Sequence, residues 1–394
     1  MSLSDSRPSA PIAGADKAPR GSSPLSVRWR DIRNRALMSP RFHAIALATP
    51  IGRFFARRSA DKLFDLTAGF VYSQILFAGV QTGLFEALAE GPAPEEDLAR
   101  RLEMPLDGAR RLLSGSAALG LLDKLPDGRF MLGAQGAALL ANPGAIAMIR
   151  HHDAFYDDLR DPVEVLKIRG GGRLARLWDY DGQSADTRPE GRSTSETTRY
   201  TKLMEASQDL VAREALRLFD VRPFKRILDL GGGSGRFLTA LAERNETAQL
   251  HLFDRPDVAI LARERLDIRP DADRFRVHGG SFFADSLPDR CDLVTLVRIL
   301  HDHDDEPAMN ILRRARTALA PGGRILIAEP MADRRAHSRI GDAYFNLYLA
   351  AMGSGRPRTP EEIAEMLGAA GFSKPRTIPA GMPIATSAVT AVAT

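Results

Sequence analysis

In the second half of the chain, apolar residues come in short runs at 227–230, 249–253, 275–278, 292–297 and 324–327, most of them separated by stretches with helical spacing. Short, mostly apolar runs of this length suit buried strands, and their alternation with helices predicts a parallel sheet covered on both sides. The fold class read from this pattern is α/β, a Rossmann-like doubly wound sheet. The first half reads differently. From residue 66 to about 142 the order is helix, helix, helix, hairpin, with short helices over 95–102 and 106–119. Pro126, Asp127 and Gly128 turn the chain between runs at 121–125 and 129–132. That order is a winged helix. Its candidate recognition helix, 107–119, carries only Arg110 and Arg111 among Ala, Leu, Ser and Gly. This is too little polar reach for phosphates and base edges, so a dimerisation module is expected and no nucleic-acid partner.

Two further stretches shape the organisation. The uncharged segment 66–85 just reaches membrane-spanning length, yet it holds Ser73, Gln74, Gln81 and three glycines, and a buried helix is expected. Upstream, Trp29, Ile32, Phe42, Phe54 and Phe55 alternate with Arg28, Arg30, Arg33, Arg41, Arg53, Arg57 and Arg58, and Pro40 and Pro50 cut the segment into pieces. Such a mixture suits a membrane interface, or an arm packed on a partner subunit. Residues 1–24, rich in Ser, Pro, Gly and Ala, are expected to be disordered. The expected domains are a basic arm over 1–62, a winged-helix dimerisation domain over 63–205, and a cofactor-binding catalytic domain over 206–394. The second of these includes a loop or lid around Gly170, Gly171, Gly172 and 183–198, after which helical spacing resumes at 203–219.

Charge sharpens the division. Over 394 residues, 54 Lys/Arg against 50 Asp/Glu leave a net +4. The first 62 residues hold 12 and 4, the remainder 42 and 46, so the basicity belongs to the arm and the body is mildly acidic. A protein that coats nucleic acid would carry its basic surface on the folded domain. The single cysteine, Cys291, excludes an internal disulfide and fits a reducing compartment. No apolar leader opens the chain, so a cytoplasmic location is expected, at most peripheral on the cytoplasmic face of an inner or photosynthetic membrane.

The strongest chemical signal is Leu228-Asp229-Leu230-Gly231-Gly232-Gly233-Ser234-Gly235-Arg236-Phe237, a strand that ends in a glycine loop opening a helix. A dinucleotide fingerprint starting at Gly231 would need glycine at 236, where Arg236 stands, and no Lys-Ser/Thr pair follows to make a P-loop. The glycines fall instead at 231, 233 and 235, behind Asp229. Asp254 ends the next strand, 19 residues beyond Gly235, where a carboxylate can accept both hydroxyls of a ribose. His301 follows a buried run at the carboxyl edge, a suitable place for a general base. The cluster His301, Asp302, His303, Asp304, Asp305 and Glu306 is dense in metal ligands, but its members lie too close along the chain to converge on one ion, and no metal is expected. His151, His152 and Asp153 read as a solvated helix end.

This pattern resembles the cofactor site of class I S-adenosylmethionine-dependent methyltransferases, and more narrowly the small-molecule O-methyltransferases that join a winged-helix dimerisation domain to such a sheet. Phe253-Asp254-Arg255-Pro256-Asp257-Val258, Gly279-Gly280-Ser281-Phe282-Phe283, Arg298 to Glu306, and Leu319 to Glu329 fall in the family's order. The resemblance implies S-adenosyl-L-methionine as cofactor, held by Asp229, Gly231, Gly233, Gly235, Asp254, Ser281, Phe282 and Arg298. It also implies a homodimer, with His301 as catalytic base and Asp302 and Glu329 fixing its tautomer. Ser281 departs from the family's aspartate at the adenine, Val297 from a lysine, and Pro357 from a second base-orienting glutamate. The arm and 70–85 are similar to a bacterial carotenoid-pathway branch, which implies a lipophilic acceptor and methylation of the tertiary 1-hydroxyl of an acyclic carotenoid. A phenolic or polyketide hydroxyl is the alternative acceptor. A winged-helix DNA-binding regulator and a nicotinamide oxidoreductase are the alternatives of other classes.

Overall fold

Proline at the first turn of a helix forfeits no hydrogen bond, because that N–H has no partner inside the helix. Pro40 and Pro50 use this, and the arm falls into α1 (Pro24–Met38), α2 (Pro40–Ala48) and α3 (Pro50–Gln81). The computed structural model describes residues 24–170, 172–177, 211–333, 339–378 and 387–394, so the segment expected to be disordered lies almost wholly outside the described residues. The chain divides into two compact units, Met1–Gln74 and Ile75–Thr394. The expected boundary at residue 62 falls inside α3, which passes through it without a break.

The expectation of a buried helix over 66–85 is corrected. Helix α3 ends at Gln81, and Gly83, at φ 72°, turns the chain into α4 (Leu84–Ala87). Leu66 is 78% and Phe70 71% exposed, and of α3 only Gly79 and Val80 are buried. An uncharged sequence tolerates an apolar environment; it does not say that the same chain supplies it.

The second unit opens with the expected winged helix: α5 (Glu95–Arg101), α6 (Leu106–Ala118), then β1 (Leu122–Lys124) and β2 (Phe130–Leu132), paired antiparallel. Leu84, Phe85, Leu98, Leu113, Leu122 and Phe130 fill its core. Arg110 and Arg111 are engaged with Glu95 and Asp107. Helices α7 (Ala134–Leu140), α8 (Pro143–Asp158), α9 (Pro162–Ile168) and α10 (Arg173–Leu177) follow among the described residues. The stretch 183–198, expected as a loop or lid, lies outside the described residues.

All five expected strands form, as β3 (Arg226–Leu230), β4 (Gln249–Asp254), β5 (Phe275–Gly279), β6 (Cys291–Val297) and β7 (Leu319–Glu329). Two more, β8 (Phe372–Ile378) and β9 (Ser387–Ala393), complete a sheet of seven among the described residues, ordered β5-β4-β3-β6-β7-β9-β8. The first five run parallel; β9 is antiparallel to β7 and to β8. Apolar side chains cover both faces, Leu228, Val294 and Ile325 on one and Ile227, Leu293 and Leu326 on the other, which explains why the runs are apolar at successive positions. From β3 the chain winds outward through β4 and β5, then returns to place β6 on the other side of β3. That reversal opens a crevice at the carboxyl ends of β3 and β6.

Candidate active site

Into this crevice β3 delivers the glycine loop. Gly231, Gly233 and Gly235 all take positive φ, at 77°, 57° and 80°. The backbone angle at Gly231 strains any other residue, and a Cβ there, 2.4 Å from Ile299 Cδ1, would also make that side chain shift. Asp229 is buried beneath the loop; its Oδ1 accepts from Thr295 Oγ1 at 2.6 Å, while Oδ2 has no hydrogen-bond partner. Burial pushes its carboxyl up to about 7, against the Thr295 hydrogen bond and helped by the Asp254 charge. Asp254, equally buried, ties two elements together: Oδ2 accepts from Gly233 N–H and Oδ1 from Arg255 N–H, both at 2.7 Å. Burial raises its carboxyl to about 6.

The neighbouring positions are less direct. Ser281 is exposed and its hydroxyl accepts from Phe283 N–H at 3.2 Å, so it shapes its own turn. Phe282 is buried in the core with Leu230 and Phe253. Arg298 takes φ 58° directly after β6, its N–H bonded to Ala328 O.

His301 stands on a 3-10 turn, Leu300–Asp302, just beyond β6. Its side chain is 2% exposed, with Nε2 3.2 Å from Asp302 Oδ1 and Nδ1 without a hydrogen-bond partner. Burial first, then the charges of Arg298 and Arg358 and the neighbouring His303, hold the imidazole well below its ordinary pKa. Burial likewise pushes Asp302 well up, opposed by Arg298 and reinforced by Glu329. Burial thus disfavours the charged form of both partners. Glu329, at the end of β7 and fully buried, accepts from the backbone N–H of His301 at 3.1 Å; its other oxygen is unpartnered. Burial lifts it to about 7. Thus Asp302 meets the ring, whereas Glu329 meets the turn.

His151 and His152 are corrected most clearly. They form no solvated helix end: His151 Nε2 lies 2.8 Å from Tyr348 Oη and His152 Nε2 2.6 Å from Tyr344 Oη. Burial lowers His151 to about 4. These pairs join α8 to a π-helical segment, Arg339–Phe345, and the helix Asn346–Met352, and Tyr344 and Tyr348 stack with centroids 5.9 Å apart. Phe345 extends this aromatic wall to within 5.8 Å of the His301 ring. The i, i+4 spacing of Tyr344 and Tyr348 was the available signal. Arg358, fully buried, is a further residue at this site, and its sequence neighbourhood carries no signal of that burial. Among the described residues, no group of three or more His, Cys, Asp or Glu side chains is placed to hold a metal ion.

The residues present fit an adenosyl sulfonium carrying an amino group. A buried carboxylate oxygen without a partner, Asp229 Oδ2, lies beneath a loop with three glycines at positive φ, and Asp254 stands at the neighbouring strand end. Comparisons with known proteins agree. The O-methyltransferase domain matches residues 174–373, and the O-methyltransferase dimerisation domain matches residues 64–142. The chain is 44% identical to the demethylspheroidene O-methyltransferase of Cereibacter sphaeroides, covering 90% of this chain and 92% of that relative. It is 32% identical to the acetylserotonin O-methyltransferase of Mus musculus, over 82% and 86%. Among solved structures, the mitomycin 7-O-methyltransferase MmcR superposes with a TM-score of 0.71 at 25% identity, covering 86% of this chain and all of that one. The S-adenosylhomocysteine-bound CalO1, a methyltransferase of calicheamicin biosynthesis, also gives 0.71 at 25% identity, over 86% and 98%.

Proposed function

The chain belongs to the O-methyltransferase family that pairs a dimerisation domain with an S-adenosylmethionine-dependent catalytic sheet, and from that premise we propose that it methylates the tertiary 1-hydroxyl of an acyclic carotenoid, with His301 as general base. The observation that carries the base assignment is the unpartnered Nδ1 of a buried imidazole whose Nε2 faces Asp302. A proton on Nε2, donated to Asp302, leaves the Nδ1 lone pair as the acceptor. Asp229 and Asp254 would hold the amino and ribose groups of the cofactor, and the 231–235 loop its adenosyl portion. When bound, S-adenosylmethionine supplies an electrophilic methyl group on sulfur. Alignment of the acceptor oxygen with that group should supply most of the acceleration. A tertiary alcohol is too weak an acid to ionise first, so His301 takes the hydroxyl proton as the oxygen takes up the methyl, worth about 10²–10⁴-fold. Asp302 then steadies the imidazolium.

The carotenoid acceptor is supported by the 44% identity and by the aromatic wall of Tyr344, Phe345 and Tyr348, which suits an apolar chain better than a charged one. A lipid-dissolved acceptor also gives the arm a role. Residues 24–62 carry nine Lys/Arg against two Asp/Glu, with Trp29, Phe54 and Phe55 at least 62% exposed, a composition complementary to an anionic lipid surface on the cytoplasmic side. Helix α3 is long and apolar enough to cross a membrane, but the arginines in its first turns favour lying on the surface.

The test is incubation of the full chain with S-adenosylmethionine and demethylspheroidene in lipid vesicles, followed by mass spectrometry. A gain of about 14 mass units on the carotenoid, the difference between hydroxyl hydrogen and methyl, is the expected result. Turnover of a phenol or polyketide alone would remove the carotenoid reading and leave the family assignment standing.

A further inference from the structure

Arg358 is the largest fully buried side chain among the described residues, and it does not act as a simple charge partner. Its guanidinium spreads over the turn that carries His301. Nη1 donates to Leu300 O at 2.6 Å and Nη2 to His303 O at 2.7 Å, the carbonyls on either side of His301 and Asp302. Nε and Nη2 also reach Asp305 Oδ1, at 3.1 and 2.9 Å. The same loop supplies more. Ser354 Oγ donates to Asp302 O at 2.8 Å, and Gly355 N–H to Asp304 Oδ1 at 3.1 Å. Gly355, at φ 79°, approaches so closely that a Cβ there would stand 2.0 Å from His301 O. One loop therefore grips the carbonyl side of the turn while Glu329 holds its amide side. The loop thus meets the turn through the turn's backbone, and Pro357 adds no polar side chain to it.

We propose that Arg358 is a positioning residue for the methyl transfer: its fork fixes the Leu300–His303 turn, and thereby the place and direction of the His301 imidazole. This rests on the reading of His301 as the base. Lysine cannot replace the fork, because a single ammonium cannot span two carbonyls and a carboxylate in fixed geometry. The arginine also contributes its charge. The groups facing His301 are Arg298 beyond β6, Asp302 and His303 on its own turn, Glu329 from β7 and Arg358 from the loop, with Tyr344 and Tyr348 adjoining Arg298 and Asp302. Removing a nearby cation raises the pH at which the imidazole takes up its proton, so the acid limb of the rate profile should move to higher pH.

The experiment compares Arg358→Lys, Arg358→Met, Ser354→Ala and His301→Ala in the full chain, with demethylspheroidene as acceptor, S-adenosylhomocysteine binding by calorimetry, and kcat followed against pH. For Arg358→Lys, kcat should fall about 10²-fold, as expected for a small misplacement of a catalytic group, with KM and S-adenosylhomocysteine affinity within twofold of the parent. Its acid limb should stay in place. Arg358→Met should lose at least as much and shift its acid limb upward. Ser354→Ala, which removes one donor from a half-buried position, should lose about 3–10-fold in kcat, in line with one modest hydrogen bond. Full kcat in Arg358→Lys, or an unmoved acid limb in Arg358→Met, would overturn the proposal; should neither variant fold, unchanged kcat in Ser354→Ala would do so. His301→Ala separates the two readings. If it turns over normally the base assignment fails, whereas a dead His301→Ala beside a fully active Arg358→Lys fails the positioning role alone.

Discussion

Asp229 carries a burial cost in the free protein. Its folded pKa, about 7, lies above the ordinary 3.8, so the folded state holds more protons between those values and loses stability as pH rises through them. Asp229→Asn keeps an acceptor for Thr295 and removes the buried charge. It should therefore melt higher than the parent without ligand, by on the order of 2 kcal/mol or more at pH 8, with the advantage vanishing near pH 4. The same variant should bind S-adenosylhomocysteine at least about tenfold more weakly, since a charged hydrogen bond is lost. Differential scanning calorimetry across pH and titration calorimetry check the two halves; a lower melting temperature at pH 8 would contradict the first. His151 and His303 pull the other way. Each is held near 4 by burial, so stability they support above pH 6.5 is lost as pH falls toward 4. At this scale the sequence was legible where residue type and spacing coincide with chemistry, as at Asp229, Gly231 and His301. It was not legible at Arg358, because nothing in an arginine's type signals complete burial, nor at His151, whose partners lie some 197 residues away.

Elements differ in the same way. The five parallel strands were readable because most of their residues are apolar and come in short runs between helical stretches. Strand β8 hides because Ser373, Lys374, Pro375 and Arg376 place polar groups and a proline in an edge strand, where ladder bonding is needed on one side only. Strand β9, Ser-Ala-Val-Thr-Ala-Val-Ala, has small residues and little contrast. Helix α3 was legible as a helix but not in its exposure, since periodicity does not name the solvent. The loop between β3 and its following helix allows a sharp prediction. Gly231→Ala adds a Cβ at positive φ and 2.4 Å from Ile299, and should cost about 1–3 kcal/mol of stability while weakening cofactor binding more than tenfold. A variant that melts and binds like the parent would show that the loop relaxes freely.

At the scale of the whole molecule, the contrast is between a basic N-terminal segment and a mildly acidic remainder. Deleting residues 1–60 should abolish sedimentation with vesicles rich in anionic lipid, leave S-adenosylhomocysteine affinity within about twofold, and remove the steep salt dependence of lipid binding that exposed arginines confer. Equal pelleting of both forms would reject the lipid-surface role. The order of the sheet carries a consequence of another kind. Strand β8 pairs with β9 alone, and β9 is the neighbour of β7, the strand that ends in Glu329. Until the β8–β9 hairpin docks, β7 presents an open row of amides and carbonyls, and the partners that close it lie about 60 residues downstream. Folding of the active-site edge is then a late, long-range event on a nascent chain whose exposed strand can pair with a neighbour's. Assembly of this enzyme should therefore be most vulnerable to aggregation at its last step, after most of the sheet that binds the cofactor has already formed.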